Sequence, residues 1–494
     1  MLRRSSIDSL PIELLTEIAT SIRLHATPST LLSLAITNHT LYDNIYPFLY
    51  SQVILRNKGD AMQAITKILD NPKLGRHVRG LHIMYNPIWE SKLNFDVTAG
   101  VERLISRGLL PYLRIFAFYA LSTLICYYPK GCGRFSANFW GNLVEKCPLV
   151  KDIVVSGPEV SFFIPWIQES RADELRTFSN LDRIGLNFFN TSLALNRGFG
   201  LFTRSVHYLS FSLQTLSLSL DPFVYPCLSP ILSLHFPNLK RLVLASFRLN
   251  NTSEAMSFWR RHPNLEKLNL SPDDPGLPWF SDDSDIIQGL LPNLIHLEAD
   301  YKDVRALAPI LPRLVRLSIR NSIKKELLHL LEHVLPDGLP RLRSLQIQGA
   351  LQTSEIPISM GLSSYIHSIG KRAPKLEELG VTCTNLTMEL CFKRLLIDRV
   401  QGFECLERLY IGYCKRISIL EDPREWFLGL SFKLAQKWKK LSSVTSISNR
   451  YDYPYTVAKI MRTGGKVTNV VAKEGNGMQI GYEDRPFGGI PGSG

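Results

Sequence analysis

One short pattern of apolar and polar positions recurs along the chain: L-x-x-L-x-L, usually with proline two residues before the first leucine. "FPNLKRLVLASF" starts at Phe236, "LPRLVRLSIRNS" at Leu311 and "APKLEELGVTC" at Ala373. Because side chains alternate along a strand, the L-x-L part places both leucines on one face of a short strand. The seven clearest copies have as their leading residues Leu239, Leu265, Leu294, Leu314, Leu342, Leu376 and Leu406.

Weaker copies extend the pattern toward the N-terminus. Their leading residues are Val78, Leu113, Val150, Leu181 and Leu213, which makes about twelve units spaced mostly 26 to 37 residues apart. Between the copies lie stretches such as "SIKKELLHLLEHVL", 322–335, in which apolar residues recur at helical spacing. Strand, helix and strand in repeated order predict an α/β fold with parallel neighbouring strands and one shared apolar core.

These units resemble the leucine-rich repeat family over roughly residues 77–415. The resemblance implies a leucine-rich-repeat solenoid, an irregular horseshoe in which stacked units bury a continuous core. The units lack the family's regular asparagine after the third apolar position, so we expect irregular curvature. We assign 52–415 to the solenoid, 416–450 to a C-terminal helical cap and 451–494 to a glycine-rich, largely disordered tail.

The first fifty residues predict three short helices. Pro11 suits the first position of a helix, and Leu14 and Ile18 recur on one face of it. A second helix opens at Pro28, and a third ends near Pro47, before a strand-like "VIL". Helices this short do not hold together alone in water, so each must pack against this chain or against a partner.

The three helices are similar to an F-box, which we assign to residues 5–51. The match is the Leu-Pro-x-Glu-Leu-Leu opening at Leu10 and the Leu-Leu-x-Leu of the second helix at Leu31. An F-box docks on the adaptor of Skp–cullin–F-box ubiquitin ligases, and the repeat domain behind it captures a protein substrate. The resemblance therefore implies a substrate-recognition subunit. Its adaptor-binding residues would be Leu10, Pro11, Glu13, Leu14, Ile18, Leu31 and Leu32.

Two other classes of function compete with this interpretation. The helices would show the same apolar spacing if they only capped the solenoid, and the protein would then be a leucine-rich-repeat binding scaffold unconnected with ubiquitin. An enzyme is the third class. The sequence has no nucleophile elbow, zincin helix, P-loop or dinucleotide fingerprint, so we expect no catalysis and no cofactor.

Charge adds a candidate binding surface. The formal net charge is +13, which favours acidic partners. Just before the second core position, successive repeats carry Arg241, Lys267, His296 and Arg316, on strands expected to lie about 4.8 Å apart. This stripe would hold an acidic or phosphorylated protein segment through charge-assisted hydrogen bonds, unless it serves only solubility. No aromatic platform accompanies the basic residues in the sequence, so we expect no nucleic-acid partner.

The remaining features concern compartment and metal. Eight cysteines without C-x-x-C spacing predict no zinc site, and the absence of a secretory signal predicts a cytoplasmic or nuclear protein. The apolar stretch 109–129 is interrupted by Pro111, which favours a buried core segment and no membrane partner. The acidic insert 271–285 fits no EF-hand loop. Its Trp279 and Phe280 either anchor a partner or pack into the solenoid.

Overall fold

The fold is α/β, with strands and helices alternating along most of the chain. In this computed structural model the described residues form two compact units, Met1–Pro226 with Leu234–Leu239, and Cys227–Ser233 with Lys240–Gly494. The residues that the structure describes are 11–21, 27–37, 39–55, 58–85, 97–120, 135–136, 138–157, 178, 180–188, 206–207, 209–219, 228–271, 277–281, 283, 287–320, 329, 338–347, 361–387, 403–415, 423–448 and 454–476.

The first unit combines N-terminal helices with a parallel sheet. Its elements are α1 (Ile12–Ser21), α2 (Thr27–Ala35), α3 (His39–Leu49), β1 (Gln52–Leu55), α4 (Lys58–Asp70), α5 (Pro72–Gly75), β2 (Gly80–Tyr85), α6 (Val97–Ser106), β3 (Ile115–Ala120), α7 (Phe139–Lys146), β4 (Asp152–Gly157), β5 (Arg183–Phe188) and β6 (Thr215–Ser219). Strands β1 to β6 are neighbours in chain order, and each pairs in parallel with the next.

The second unit continues the alternation and ends in a hairpin. Its elements are α8 (Ser229–Leu232), β7 (Arg241–Ala245), α9 (Thr252–Arg261), β8 (Lys267–Ser271), β9 (His296–Asp300), α10 (Tyr301–Ala306), a 3-10 helix (Ala308–Arg313), β10 (Arg316–Arg320), β11 (Ser344–Ile347), α11 (Gly361–Arg372), β12 (Glu378–Thr387), β13 (Arg408–Lys415), α12 (Pro423–Lys437), β14 (Ser443–Ser448), β15 (Pro454–Thr463) and β16 (Lys466–Asn476). Strands β7 to β14 pair in parallel, and β14, β15 and β16 pair antiparallel.

Each of the twelve repeat phrases forms a strand that begins two residues after its leading apolar residue, and the leading residues are buried. Where a repeat has the proline, it explains the sharp entry into the strand. The N–H of Leu265 donates to the carbonyl of His262 at 3.3 Å, and that of Leu294 to Leu291 at 3.0 Å. Proline occupies the second position of these four-residue turns, where its fixed φ is favourable.

The three N-terminal helices occur where they were predicted, with one difference. α3 continues to Leu49 instead of ending near Pro47. A proline in the last turn removes one N–H, but Phe48 and Leu49 pack on the apolar core of the three helices and hold that turn in place. The predicted helix 322–335 lies outside the described residues except for position 329. The solenoid curvature and the F-box stay predictions.

The prediction of a disordered tail over 451–494 is wrong for residues 454–476, which form the β15–β16 hairpin. Gly464 and Gly465 connect the strands with φ of 58° and 79°, as a two-residue hairpin turn requires. The guanidinium of Arg462 donates to the carbonyls of Ala435 at 2.7 Å and Trp438 at 3.0 Å, so it ties the hairpin to the end of α12. The predicted C-terminal cap contains this helix, but also β14, a further parallel strand.

The apolar stretch 109–129 is described as far as residue 120, where it forms a turn and then β3. Phe116 and Phe118 of this strand are fully buried, as a core segment requires. None of the helices in the described ranges combines the length and the apolar character needed to cross a bilayer.

The aromatic pair of the acidic insert packs into the second unit. Trp279 and Phe280 are buried, and the indole N–H of Trp259 donates to the carbonyl of Trp279 at 3.3 Å. The backbone N–H of Trp279 in turn donates to Oδ1 of the buried Asp303 at 2.7 Å. Of the two alternatives for this pair, core packing is therefore the one that the structure supports.

Asp303 makes the stability of the second unit depend on pH. Burial raises its pKa from 3.8 to about 7, although backbone hydrogen bonds from Trp279 and Phe280 oppose this shift. Between these values the folded chain holds a proton that the unfolded chain has released. The free energy of unfolding should therefore fall as pH rises through this range, by at most about 1.4 kcal/mol per pH unit.

Asp303→Asn isolates this effect, because asparagine keeps an oxygen that accepts the Trp279 N–H and carries no charge. Denaturant unfolding should show the variant gaining stability relative to the parent protein between about pH 5 and about pH 8. A constant difference between the two proteins across that range would contradict the prediction.

Candidate functional site

The three N-terminal helices share a small apolar core. The carbonyl of Pro11 accepts hydrogen bonds from the backbone N–H groups of Leu14 and Leu15, at 3.1 and 3.2 Å, so Pro11 is the residue that directly precedes α1, one position before the one predicted. The buried side chains of this core are Leu15, Leu31, Ala35, Leu41 and Ile45. This core lets the helices pack on each other.

Large apolar side chains also remain on the outside of α1 and of the second helix. Leu14 and Ile18 are exposed on α1, and Leu32 and Ile36 are exposed at the C-terminal end of α2. Leu14 and Ile18 are spaced i, i+4 and lie on one face of α1. Ile36 directly follows α2, and its N–H donates to the carbonyl of Leu32 at 3.0 Å, so it continues the same face as Leu32. We call these four residues the N-terminal apolar surface.

Most of the residues predicted to bind the adaptor are accessible. The exposed ones are Pro11, Glu13, Leu14, Ile18 and Leu32. The prediction of an accessible adaptor-binding side chain is wrong for Leu31, which is only 1% exposed and packs in the helical core. Its neighbour Leu32 is 53% exposed. Leu10 lies outside the described residues. Ile36 was missed, although it follows Leu32 by four residues and helical spacing alone would have found it.

The four residues of the predicted basic stripe are neighbours in the second unit. The strand register pairs Arg241 with Lys267, Lys267 with His296, and His296 with Arg316. Each stands at the first position of its strand, and none is buried. With neighbouring strands about 4.8 Å apart, the four span about 14 Å. We call them the basic row.

The basic row is a cationic environment. Burial, followed by the charges of Lys267, Arg316 and Arg241, lowers the pKa of His296 to about 4, so this imidazole is neutral at pH 7. Burial also lowers the pKa of Lys267, as do Arg241 and Arg316, while Glu266 opposes the shift. The cations repel one another, and an anion placed among them would relieve that repulsion.

One carboxylate on the strand face beside the basic row, that of Glu298, is already engaged. Glu298, two residues after His296, accepts hydrogen bonds from Nδ2 of Asn269 at 2.6 Å and Nε of Arg320 at 2.8 Å. Sequence reasoning did not single out this cluster. Asn269 and Glu298 are register partners two residues after the basic row on β8 and β9, and Arg320 lies four residues after Arg316 on β10, so a period of two along the strands would have found all three.

Beyond Arg316 the strand face changes character. Ser344 is the register partner of Arg316; it is buried, and its Oγ has no hydrogen-bond partner in the described part of the chain. The next residue in register, Glu378, accepts a hydrogen bond from Nε of Arg408 at 2.6 Å. The basic row thus ends at Arg316, and its cationic side chains can bind an anionic group.

Comparison with known proteins does not assign this chain to a family, because no protein-family model and no curated protein matches it. In the described ranges, no group of three or more His, Cys, Asp or Glu side chains is placed to hold a metal ion. Of the aspartates in the insert 271–285, only Asp283 is described. The function is therefore argued from the N-terminal apolar surface and the basic row.

Proposed function

We propose that this protein is the substrate-recognition subunit of a Skp–cullin–F-box ubiquitin ligase. The N-terminal helices act as an F-box that binds the adaptor, and the strands behind them belong to a leucine-rich-repeat solenoid that captures a protein substrate. The protein itself performs no chemistry in this role. It raises the effective concentration of the captured protein near the ligase.

The observation that carries the proposal is the surplus of apolar surface on α1 and α2. The helices already have a core in Leu15, Leu31 and their neighbours, yet Leu14, Ile18, Leu32 and Ile36 remain exposed. Exposed apolar residues grouped on helix faces are typical of protein interfaces. The Leu-Pro-x-Glu-Leu-Leu opening then favours the Skp-type adaptor as the partner.

The basic row supports the second half of the proposal. A protein substrate with an acidic or phosphorylated segment would place its anionic groups over Arg241, Lys267 and Arg316. Charge-assisted hydrogen bonds from these side chains would then orient the segment across the strands. The proposal requires no cofactor.

Replacing Leu14 and Ile18 together with glutamine should weaken adaptor binding by at least about tenfold, because interface anchors contribute 1 kcal/mol or more each. Glutamine forms helices well, and both side chains are exposed, so the helices should remain folded. Binding is measured by titrating the full chain against purified Skp-type adaptor, with circular dichroism melts of both proteins.

Met62→Gln is the matched control, because Met62 is also an exposed apolar residue on a helix, α4, outside the N-terminal apolar surface. It should bind the adaptor like the parent protein. If neither the parent nor the double variant bound the adaptor, the proposal would fail. The helices would then be a cap on a leucine-rich-repeat scaffold unconnected with ubiquitin.

A further inference from the structure

A line of planar side chains crosses the surface of the first unit, from α3 to the turn before β3. The ring centres of Tyr42 and Tyr46 lie 5.4 Å apart, and the ring of His77 lies 5.9 Å from that of Tyr46 in a T-shaped contact. Arg79 follows His77 by two residues, and its guanidinium carbon lies 4.8 Å from the centre of the Tyr112 ring. We call these five residues the tyrosine–arginine surface.

Both ends of the tyrosine–arginine surface are accessible, and its charge is positive. Tyr42 is exposed at one end and Tyr112 is 45% exposed at the other. Burial and the charge of Arg79 lower the pKa of His77, while burial and the charge of Arg114 lower the pKa of Arg79. The backbone N–H of Arg114 donates to the carbonyl of Arg79 at 2.7 Å, so the two arginines are neighbours just before β3 and β2. Within the described residues, no carboxylate contributes to either shift.

We propose that the tyrosine–arginine surface binds single-stranded nucleic acid. Unpaired bases stack on exposed Tyr faces and on guanidinium planes, and they do so with little regard to sequence. Arg79 and Arg114 supply the positive charge that phosphates require, within a chain whose net charge is +13. A duplex keeps its bases stacked inside, so it would leave the tyrosine rings unused. An acidic peptide would engage the arginines but has no flat group for the rings.

This proposal departs from the expectation of no nucleic-acid partner, which rested on the absence of an aromatic platform in the sequence. Tyr46, His77 and Tyr112 belong to different segments, and only the packing of α3 beside the turns that precede β2 and β3 brings them together. The inference is independent of the proposed ligase role, because it uses neither the N-terminal apolar surface nor the basic row.

The test is fluorescence anisotropy of the full chain with a fluorescein-labelled oligodeoxythymidine of about 15 nucleotides, which has no secondary structure of its own. Saturable binding that weakens with added salt is expected. Tyr112→Ala should weaken binding about tenfold, as removal of one stacking partner does, whereas Tyr112→Phe should retain it. Arg79→Gln should weaken binding and reduce the slope of affinity against salt by about 0.7.

Phe211→Ala is the matched control: Phe211 is an aromatic residue of the same unit, 68% exposed, with no part in the tyrosine–arginine surface. It should bind the oligonucleotide like the parent protein. Absence of saturable binding would overturn the proposal. So would equal binding by the parent protein and Tyr112→Ala, since the affinity would then come from net charge alone. The variant with glutamine at positions 14 and 18 should bind normally, so the two proposals fail separately.

Discussion

Reversing the charges of Arg241, Lys267 and Arg316 to glutamate together should weaken binding of an acidic peptide to the strand face by more than about 100-fold. Each of the three side chains offers a charge-assisted hydrogen bond, worth about 1.5–3 kcal/mol when its partner is anionic. The reversed charges would also repel the ligand. A fluorescein-labelled oligoglutamate peptide titrated with the full chain at low ionic strength measures the effect, because salt screens exposed charges.

A second triple variant controls for net charge. Arg260, Lys302 and Arg305 are exposed cations on helices of the same unit, and their reversal changes the total charge by the same amount. This control should lose at most a few-fold in affinity. If both variants lost binding equally, the peptide would be responding to net charge, and the basic row would be an ordinary solvated strand face. Thermal melts establish that both variants are folded.

The repeat itself is the part of the fold that the sequence predicts best. The L-x-x-L-x-L phrase fixes both the strand and its register, because a slip of one residue would expose residues such as Leu268 and Leu317 that are buried. The register in turn fixes the basic row, since Arg241 and Lys267 hold the same position in their phrases. A repeating pattern therefore predicts neighbours on the strand face without any structural information.

Features outside the repeat were predicted less well, for identifiable reasons. Leu31 and Leu32 both fit an apolar helical pattern, and only the packing of α3 decides that Leu31 is the buried one. The glycine content of the C-terminal segment favours disorder, whereas the Gly464–Gly465 pair between two runs of strand-forming residues is the local signal of the β15–β16 hairpin. The tyrosine–arginine surface depends on contacts between distant segments, which periodicity does not encode.

Replacing Trp259 with alanine should lower the free energy of unfolding of the second unit by about 3–5 kcal/mol, the range for large aromatic residues removed from a core. Trp259 is fully buried on α9, and its ring packs 5.5 Å from that of Phe280 and 6.3 Å from that of Trp279. Its loss would also leave the carbonyl of Trp279 without the indole N–H that it accepts. Denaturant unfolding followed by circular dichroism measures the change.

The same experiment distinguishes a core segment from a partner anchor in the acidic insert. If Trp279 belongs to the core, Trp279→Ala should also lower the free energy of unfolding of the unit. The double variant Trp259→Ala with Trp279→Ala should lose less stability than the sum of the two single losses, because the two side chains share one contact region. Leu277→Ala, at an exposed position of the same segment, should change stability by no more than about 0.5 kcal/mol. If the Trp279→Ala protein were as stable as its parent, the core assignment would be contradicted. Trp279 would then be a candidate anchor for a partner.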